Sequence, residues 1–309
     1  MANFCITGAR GFIGRHLART LAMSGHQVFG LGHGAWPDAT AEGMSVWING
    51  SIDAPNLSSL AERAGHFDAV FHLAGGSAVA PSLAYPHEDF ERTVATSARL
   101  LEWLRQFAPE TRLVATSSAA VYGDVGHARA AEGAPLAPTS PYGTHKLILE
   151  TMIASYRRHF AVKGTAVRLF SVYGPGLEKQ LLFELCCRCS IAPAGASLVL
   201  GGTGTEQRDW LHVSDAVALL ILAARSDPPP GVLNGGTGIA TPVSAIAKLV
   251  CGMWEKALLP TFSGICREGD PLSLVADPSR ASAAGFAPGV AVDEGVRAYV
   301  DWFRRSRPR

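Results

Sequence analysis

Asn3-Phe4-Cys5-Ile6-Thr7-Gly8-Ala9-Arg10-Gly11-Phe12-Ile13-Gly14 begins the chain with a short apolar run, a turn carrying glycines, and the first turn of an amphipathic stretch that continues to about Met23. Apolar residues that pass without a break into glycines, and then into apolar positions at helical spacing, read as strand, tight turn and helix. Glycine suits such a turn for three reasons. The chain must double back, its backbone must come close to a pyrophosphate, and the helix must pack on the strand with its positive end toward the phosphates. The spacing is G-x-x-G-x-x-G, one residue looser than G-x-G-x-x-G. In this strand–turn–helix setting it predicts a dinucleotide site on Gly8, Arg10, Gly11, Phe12, Ile13 and Gly14.

Further along, apolar strands alternate with helical periods, which predicts a parallel sheet with helices on both faces. Strands are expected at Asn3 to Thr7, Gln27 to Leu31, Ala69 to Leu73, Leu113 to Ser117 and Thr165 to Leu169, and the longest helices at Glu88 to Phe107 and Tyr142 to His159. After Phe170 the alternation gives way to connections rich in glycine and proline, at Gly174-Pro-Gly, Gly201-Gly-Thr-Gly and Pro228-Pro-Pro-Gly. The second half therefore reads as a smaller domain.

The segment Ser140-Pro-Tyr142-Gly-Thr-His-Lys146 places a phenol and an ammonium four residues apart, one turn on one helix face. A phenol titrates at about 10 in water, and a neighbouring lysine with a cationic nicotinamide favours the phenolate. Tyr142 is thus a candidate proton shuttle. Upstream, Leu113-Val-Ala-Thr-Ser-Ser118-Ala-Ala-Val-Tyr-Gly reads as a buried strand entering a loop, with Ser118 placed to bond both a substrate oxygen and the phenol.

Together these residues resemble the extended short-chain dehydrogenase/reductase family, in its nucleotide-sugar epimerase/dehydratase branch, and the resemblance runs nearly end to end. It also takes in Phe67-Asp-Ala-Val-Phe-His-Leu73-Ala74-Gly75, Arg168-Leu-Phe-Ser171-Val-Tyr-Gly-Pro-Gly, Gln207-Arg208-Asp209-Trp-Leu-His-Val-Ser-Asp215 and Arg267-Glu-Gly-Asp270. The resemblance implies a Rossmann-type doubly wound sheet with a smaller C-terminal α/β substrate-binding domain. Residues 1–170 with about 211–236 would hold the cofactor, and about 171–210 and 237–309 the sugar nucleotide. It makes Ser118, Tyr142 and Lys146 catalytic, and puts Leu73, Ala74 and Gly75 beside the cofactor together with Tyr142 and Lys146. Arg208 and Arg267 would grip the substrate diphosphate, a task that suits a planar guanidinium. Ser77, Ser118 and Ser171 complete the substrate set.

Departures from the family pattern carry information. Gly32, followed by His33, stands where an acid usually bonds the ribose of NAD, and Arg10 is placed to pair with a 2'-phosphate. This favours NADP(H), with NAD(H) the alternative. The family's adenine-contacting aspartate appears as Ser51, followed by Ile52. The helix asparagine near the cofactor is Thr93, and the one ahead of Gly-Pro is Ser171. Ala119 and Ala120 occupy the positions where 4,6-dehydratases carry an acid pair, and fucose-synthase-like enzymes a cysteine, with Gly176 replacing the partner histidine of the latter. Alanine has no proton to give, so neither chemistry is expected. Hydride transfer at C4 of an NDP-hexose remains. An NADPH-dependent 4-keto-sugar reductase and a 4-epimerase share the same trio, and the sequence holds them level. A catalytically silent cofactor-binding protein is the reading from another class, opposed by the retention of Tyr142 and Lys146.

Composition sets bounds. The chain has 309 residues and net charge +1, enough length for a sizeable core and no basic stripe, so a nucleic-acid partner is not expected. The longest apolar stretches are short for a membrane span, and a cytoplasmic location is expected. Six cysteines include the cluster Cys186, Cys187 and Cys189, read as small buried hydrophobes in a reducing compartment rather than as a metal site. Apolar residues beyond one stripe on the two long helices (Val94, Leu100, Leu101, Trp103 and Leu104; Leu147, Ile148, Met152, Ile153 and Tyr156) predict a homodimer.

Overall fold

The computed structural model describes residues 1–265 and 271–307, so Arg267 lies outside the described residues. The chain runs β1 (Asn3–Thr7), α1 (Phe12–Met23), β2 (Gln27–Gly32), β3 (Val46–Asn49), α2 (Ala54–Ala64), β4 (Ala69–His72), α3 (Val79–Ala84) and α4 (Pro86–Phe90). A π-helical turn (Glu91–Ala95) leads into α5 (Thr96–Phe107), β5 (Arg112–Ser118), α6 (Pro141–Phe160), β6 (Gly164–Leu169) and β7 (Ser171–Tyr173). There follow α7 (Gln180–Ile191), β8 (Ser197–Leu200), β9 (Gln207–Arg208), β10 (Trp210–His212), α8 (Val213–Arg225) and β11 (Val232–Gly235). The chain closes with β12 (Thr241–Pro242), α9 (Val243–Gly252), β13 (Leu259–Phe262), β14 (Ser273–Leu274), α10 (Ser279–Ala283) and α11 (Val292–Ser306).

Seven strands form one parallel sheet in the order β3-β2-β1-β4-β5-β6-β11. The order reverses between β1 and β4, and in doubly wound sheets the crevice beyond the carboxyl ends at that reversal is where ligands bind. Strands buried on both faces explain the continuous apolar runs in the sequence. One face carries Leu17 and Leu21 of α1 and Val217, Leu219 and Leu220 of α8, and the other Leu57, Leu60, Leu100, Leu104, Leu149 and Ile153 from α2, α5 and α6. A further core, from Tyr173 to Phe303, gathers Leu182, Leu185, Ile246, Val250, Val296 and Val300 of α7, α9 and α11. Cys186, Cys189 and Cys251 lie in it, and burial pushes the Cys186 thiol up to about 12. No helix among the described residues is long and apolar enough to cross a membrane.

All five expected strands are present, but β3 and β11 were not foreseen. Val232-Leu-Asn-Gly235 ends in a dipeptide that reads as a turn. It is a strand because the Asn234 side chain is fully satisfied inside the protein. Its Oδ1 accepts from Tyr122 OH at 2.7 Å and its Nδ2 donates to the Ala130 carbonyl at 2.7 Å. The long helix expected from Glu88 is broken by the π turn. There the Thr96 and Ser97 hydroxyls donate to the carbonyls of Arg92 and Thr93, competing with the backbone ladder. The surplus apolar residues also differ in destination. Val94, Leu100, Leu101, Trp103 and Leu104 are all consumed by the chain's own core, whereas Leu147, Ile148, Met152 and Tyr156 on α6 keep part of their surface open.

Candidate active site

The glycine turn meets the sheet where the strand order reverses. Gly8 has φ +74° and passes so near the end of β4 that a Cβ would lie 2.8 Å from Ala74 N. A Cβ on Gly14 would lie 2.6 Å from the carbonyl oxygens of Gly8 and Ala9, so only glycine lets α1 start this close to the turn. Gly11 caps α1 without a side-chain bond, and no acid occupies the first turn. The free N–H groups there form an anion-binding end. These features fit the diphosphate of a dinucleotide at the helix end from Phe12 to Gly14.

A cavity of about 1150 Å³ runs from this turn across the carboxyl ends of the strands to the second core. It exceeds the usual range of about 300–1,000 Å³ for a single ligand site. Gly8, Arg10, Gly11, Phe12, Ile13, Gly14, Gly32, His33, Ile52, Leu73, Ala74 and Gly75 line one end, and Ser77, Ser118, Tyr142, Lys146, Ser171 and Arg208 the rest. Ser51 is exposed between Gly50 and Ile52, which do line it. Thr93 is buried behind the wall, where its Oγ1 accepts from Gly76 N at 2.8 Å, so it shapes the cavity through the loop after β4.

Ser118, Tyr142 and Lys146 converge because α6 starts against the end of β5. Ser140 caps α6 by accepting from Gly143 N at 3.2 Å, with Pro141 at the first position. A Cβ on Gly143 would lie 2.6 Å from the Ala120 carbonyl, so glycine permits the contact that brings Tyr142 beside Ser118. One turn past Lys146, Glu150 ties the helix to the sheet, accepting from Arg168 Nη2 at 2.7 Å and from Ser117 Oγ at 2.5 Å. Lys146 is 3% exposed and donates to the Thr116 carbonyl at 3.0 Å, its Nζ lying 5.9 Å from the Tyr142 ring centre.

The electrostatics differ from the sequence expectation in one respect. Burial lowers Lys146 to about 8, against the opposing pull of Asp89 and Glu150. Burial also pushes the Tyr142 phenol above its ordinary value, more than the hydrogen bond with Ser118 brings it down. In the chain alone the tyrosine is therefore a phenol, and the lysine does not by itself deliver a phenolate.

On the far side, Arg208 donates to the Pro271 carbonyl at 2.9 Å, and Asp209 anchors its strand. The buried Asp209 carboxylate accepts from Thr237 N at 2.7 Å, Gly238 N at 2.8 Å and Ala276 N at 3.1 Å. Trp210, Val243, Leu274 and Lys179 line the cavity without having been assigned from the sequence. The Lys179 Nζ donates to Ser77 Oγ across the cleft at 2.8 Å. Trp210 sits within the Gln207-Arg-Asp-Trp stretch, so its neighbours were the signal.

A dinucleotide cradle, a Ser-Tyr-Lys trio and an arginine on one continuous cavity agree with what sequence comparison finds, a match of residues 4–236 to the NAD dependent epimerase/dehydratase family. The chain belongs to that family. Among its relatives, the UDP-glucose 4-epimerase of Mycolicibacterium smegmatis is 30% identical over 312 residues, covering 97% of each chain. Among solved structures, MoeE5, described in complex with UDP-glucuronic acid and NAD, is 31% identical with TM-score 0.86, covering 99% of this chain and 100% of its own. TunA, described as an NAD dependent NDP-hexosamine 5,6-dehydratase of tunicamycin biosynthesis, is 28% identical with TM-score 0.85, covering 99% and 98%. The proteins this chain resembles thus include both an epimerase and a dehydratase.

Proposed function

We propose that this protein is a 4-epimerase of a nucleoside-diphosphate hexose. The carrying observation is the one continuous cavity lined by Ser118 and Tyr142, by the bare helix end at Gly11 and by Arg208, with Ala119 and Ala120 also lining it. Residues 1–170 with about 211–236 hold the cofactor in this reading, and the remainder, Arg267 included, the sugar nucleotide. The kinship with UDP-glucose 4-epimerases supports the reaction.

A bound nicotinamide supplies the acceptor and donor of two electrons. Arg208 holds the diphosphate, so that binding energy from the unreactive end positions the sugar. Ser118 orients the 4-hydroxyl toward the phenol oxygen. Tyr142, ionised once the cationic cofactor is bound beside it, takes the hydroxyl proton as C4 is oxidised and returns it when C4 is reduced on the other face. Lys146 keeps a positive charge near the phenolate. Ala119 and Ala120 offer no acid to expel a hydroxyl, so no water leaves.

A second reading, an NADPH-dependent 4-keto-sugar reductase, is favoured by one feature. Arg10 lies tightly over Gly34 at the end of β2, where Gly32 contributes no carboxylate, a setting suited to a 2'-phosphate. The deciding experiment incubates the protein with UDP-, dTDP- and GDP-hexoses, hexuronates and 4-keto sugars, with NAD or NADPH, and follows products by NMR. A 4-epimer formed without net cofactor consumption is the expected result. Stoichiometric NADPH oxidation replaces the epimerase by the reductase, loss of water makes it a dehydratase, and no turnover leaves a silent cofactor-binding protein. We further propose a homodimer through the partly open α6 residues Leu147, Ile148, Met152 and Tyr156, which a monomer mass in sedimentation overturns.

A further inference from the structure

Ser118, Tyr142 and Lys146 account for the proton transfer in this reading, yet a second hydrogen-bonded polar pair is buried beside them. Asp89 of α4 and His145 of α6 meet with Nδ1 2.6 Å from Oδ2, their side chains 7% and 12% exposed. The Phe90 ring covers the imidazole edge to face, with ring centres 5.6 Å apart. A carboxylate this enclosed is costly unless a donor holds it. The acceptor character of the carboxylate assigns the Nδ1 proton to His145. His145 sits in sequence between Tyr142 and Lys146, so the donor belongs to the helix turn that carries both.

The other side of Asp89 touches the cavity wall. Its carboxylate packs so closely on Gly76 that any side chain there would collide with it. Gly76 is also held through its N–H by Thr93. The adjacent Gly75 is near enough to Lys146 that a Cβ on it would lie 3.4 Å from Nζ. Asp89 therefore stands where the loop after β4, the π turn and the acid–base helix meet.

We propose that Asp89, oriented by the N–H of His145, is a positioning residue for the acid–base pair, its negative charge keeping Lys146 an ammonium and Tyr142 a phenol until the cofactor is bound. This rests on reading Tyr142 as the proton carrier. The directions of the shifts agree, since Asp89 holds Lys146 up against burial and adds to burial in raising Tyr142. Of the charges facing the pair, Asp89 and Glu150 both hold Lys146 up, and Asp89 alone also acts on Tyr142. Glu150, on α6 itself, is occupied by Arg168 and Ser117. Ser118, at the end of β5, is neutral. His72, at the end of β4, is buried between Thr7 and Ser97, and burial lowers it to about 3, so it carries no charge at working pH.

The test follows the ionisation of Tyr142 by phenolate ultraviolet absorbance in the NAD-loaded protein, each variant read against the same variant carrying Tyr142→Phe. No substrate is needed, so a failure to turn over any sugar nucleotide, which would defeat the proposed reaction, leaves this readout intact. Asp89→Asn keeps an acceptor for His145 and removes the charge. It should move the Tyr142 midpoint down by about one pH unit, a tenfold change in ionisation constant, the size of shift that neighbours commonly impose in folded proteins. A merely structural role lowers stability without moving the midpoint, and an unmoved midpoint overturns the proposal. His145→Gln retains an N–H and should leave the midpoint in place. A displacement as large as that of Asp89→Asn would instead make the imidazole charge the sensed group and overturn its orienting role. Should Asp89→Asn not fold, Asp89→Ser/His145→Ser removes both partners and strands neither. It should show the same downward displacement, and its absence again overturns the proposal.

Discussion

Lys146→Met should destroy catalysis and yet leave the fold as stable as before, or more so. The lysine is 3% exposed, and burial brings it from 10.5 to about 8. That is a shift of about 2.5 units, and at about 1.4 kcal/mol per unit the charged side chain costs the folded state on the order of 3 kcal/mol at neutral pH. The attraction of Asp89 and Glu150 is already contained in that shift. Against it stands the bond to the Thr116 carbonyl, 3.0 Å long, and an acceptor left without its donor costs about 1–3 kcal/mol. Methionine is similar in reach and adapts to irregular apolar space. The difference leaves a net gain of about 1 kcal/mol, or roughly 2–4 °C in Tm.

The pH dependence separates this from ordinary packing. The folded pKa lies below the unfolded one, so between about 8 and 10.5 the unfolded chain binds more protons, and stability rises with pH across that window. The cost is fully present below about 8 and has vanished above 10.5. Urea titrations of cofactor-free parent and variant at several pH values should therefore show the largest advantage for Lys146→Met at neutral pH and a closing gap as the solution becomes alkaline. A variant less stable than the parent by the same amount at every pH would refute the reasoning, because the lysine would then be a favourable packing element and not a buried charge held for chemistry.

Gly14→Ala brings a methyl within 2.6 Å of two carbonyl oxygens and should cost about 1–3 kcal/mol of stability together with most of the cofactor affinity; parent-like urea and NAD titrations would sink the cradle assignment. Gly32→Asp meets the Trp47 ring at 3.0 Å, which must yield slightly, and should raise the affinity for NAD relative to NADP, whereas unchanged binding of both would place the ribose elsewhere. Arg208→Ala should weaken nucleoside-diphosphate binding by about 2 kcal/mol, roughly thirtyfold, without touching cofactor affinity, and calorimetry giving the opposite pattern would assign the arginine to the wrong ligand.

The parts of the fold that local chemistry specifies were legible in the sequence. Gly8, Gly11 and Gly14 announce a strand, turn and helix because a Cβ would collide with backbone at Gly8 and Gly14, and Ser140-Pro141 announces the start of α6. What was hidden depends on partners far away in sequence. Asn234-Gly235 becomes strand by pairing with β6 and through Tyr122 and Ala130, whose side-chain and carbonyl contacts no local pattern encodes. The same holds at the site. Tyr142 and Lys146 are one turn apart and could be paired by inspection, while Asp89, from α4, reaches them only because the π turn and Gly76 let its carboxylate in. Thr93, expected near the cofactor from its place in the helix, is buried with its hydroxyl accepting from Gly76 N in the cavity wall, a contact that local sequence does not encode.

The position of Lys146 also explains why the sheet and the chemistry are hard to separate. Its ammonium bonds the carbonyl of Thr116, a residue of β5 two places before Ser118, so one strand end fixes both the hydroxyl proposed to orient the substrate and the cation near the phenol. Glu150 ties the next turn of α6 to Arg168 of β6. Any movement of α6 along the sheet would have to break the buried Glu150–Arg168 pair and leave a charge unpaired inside the protein, which costs several kcal/mol. The register of one helix on two strands thus sets the distance between Ser118 and Tyr142, and the residues that secure it lie behind the cavity rather than in it.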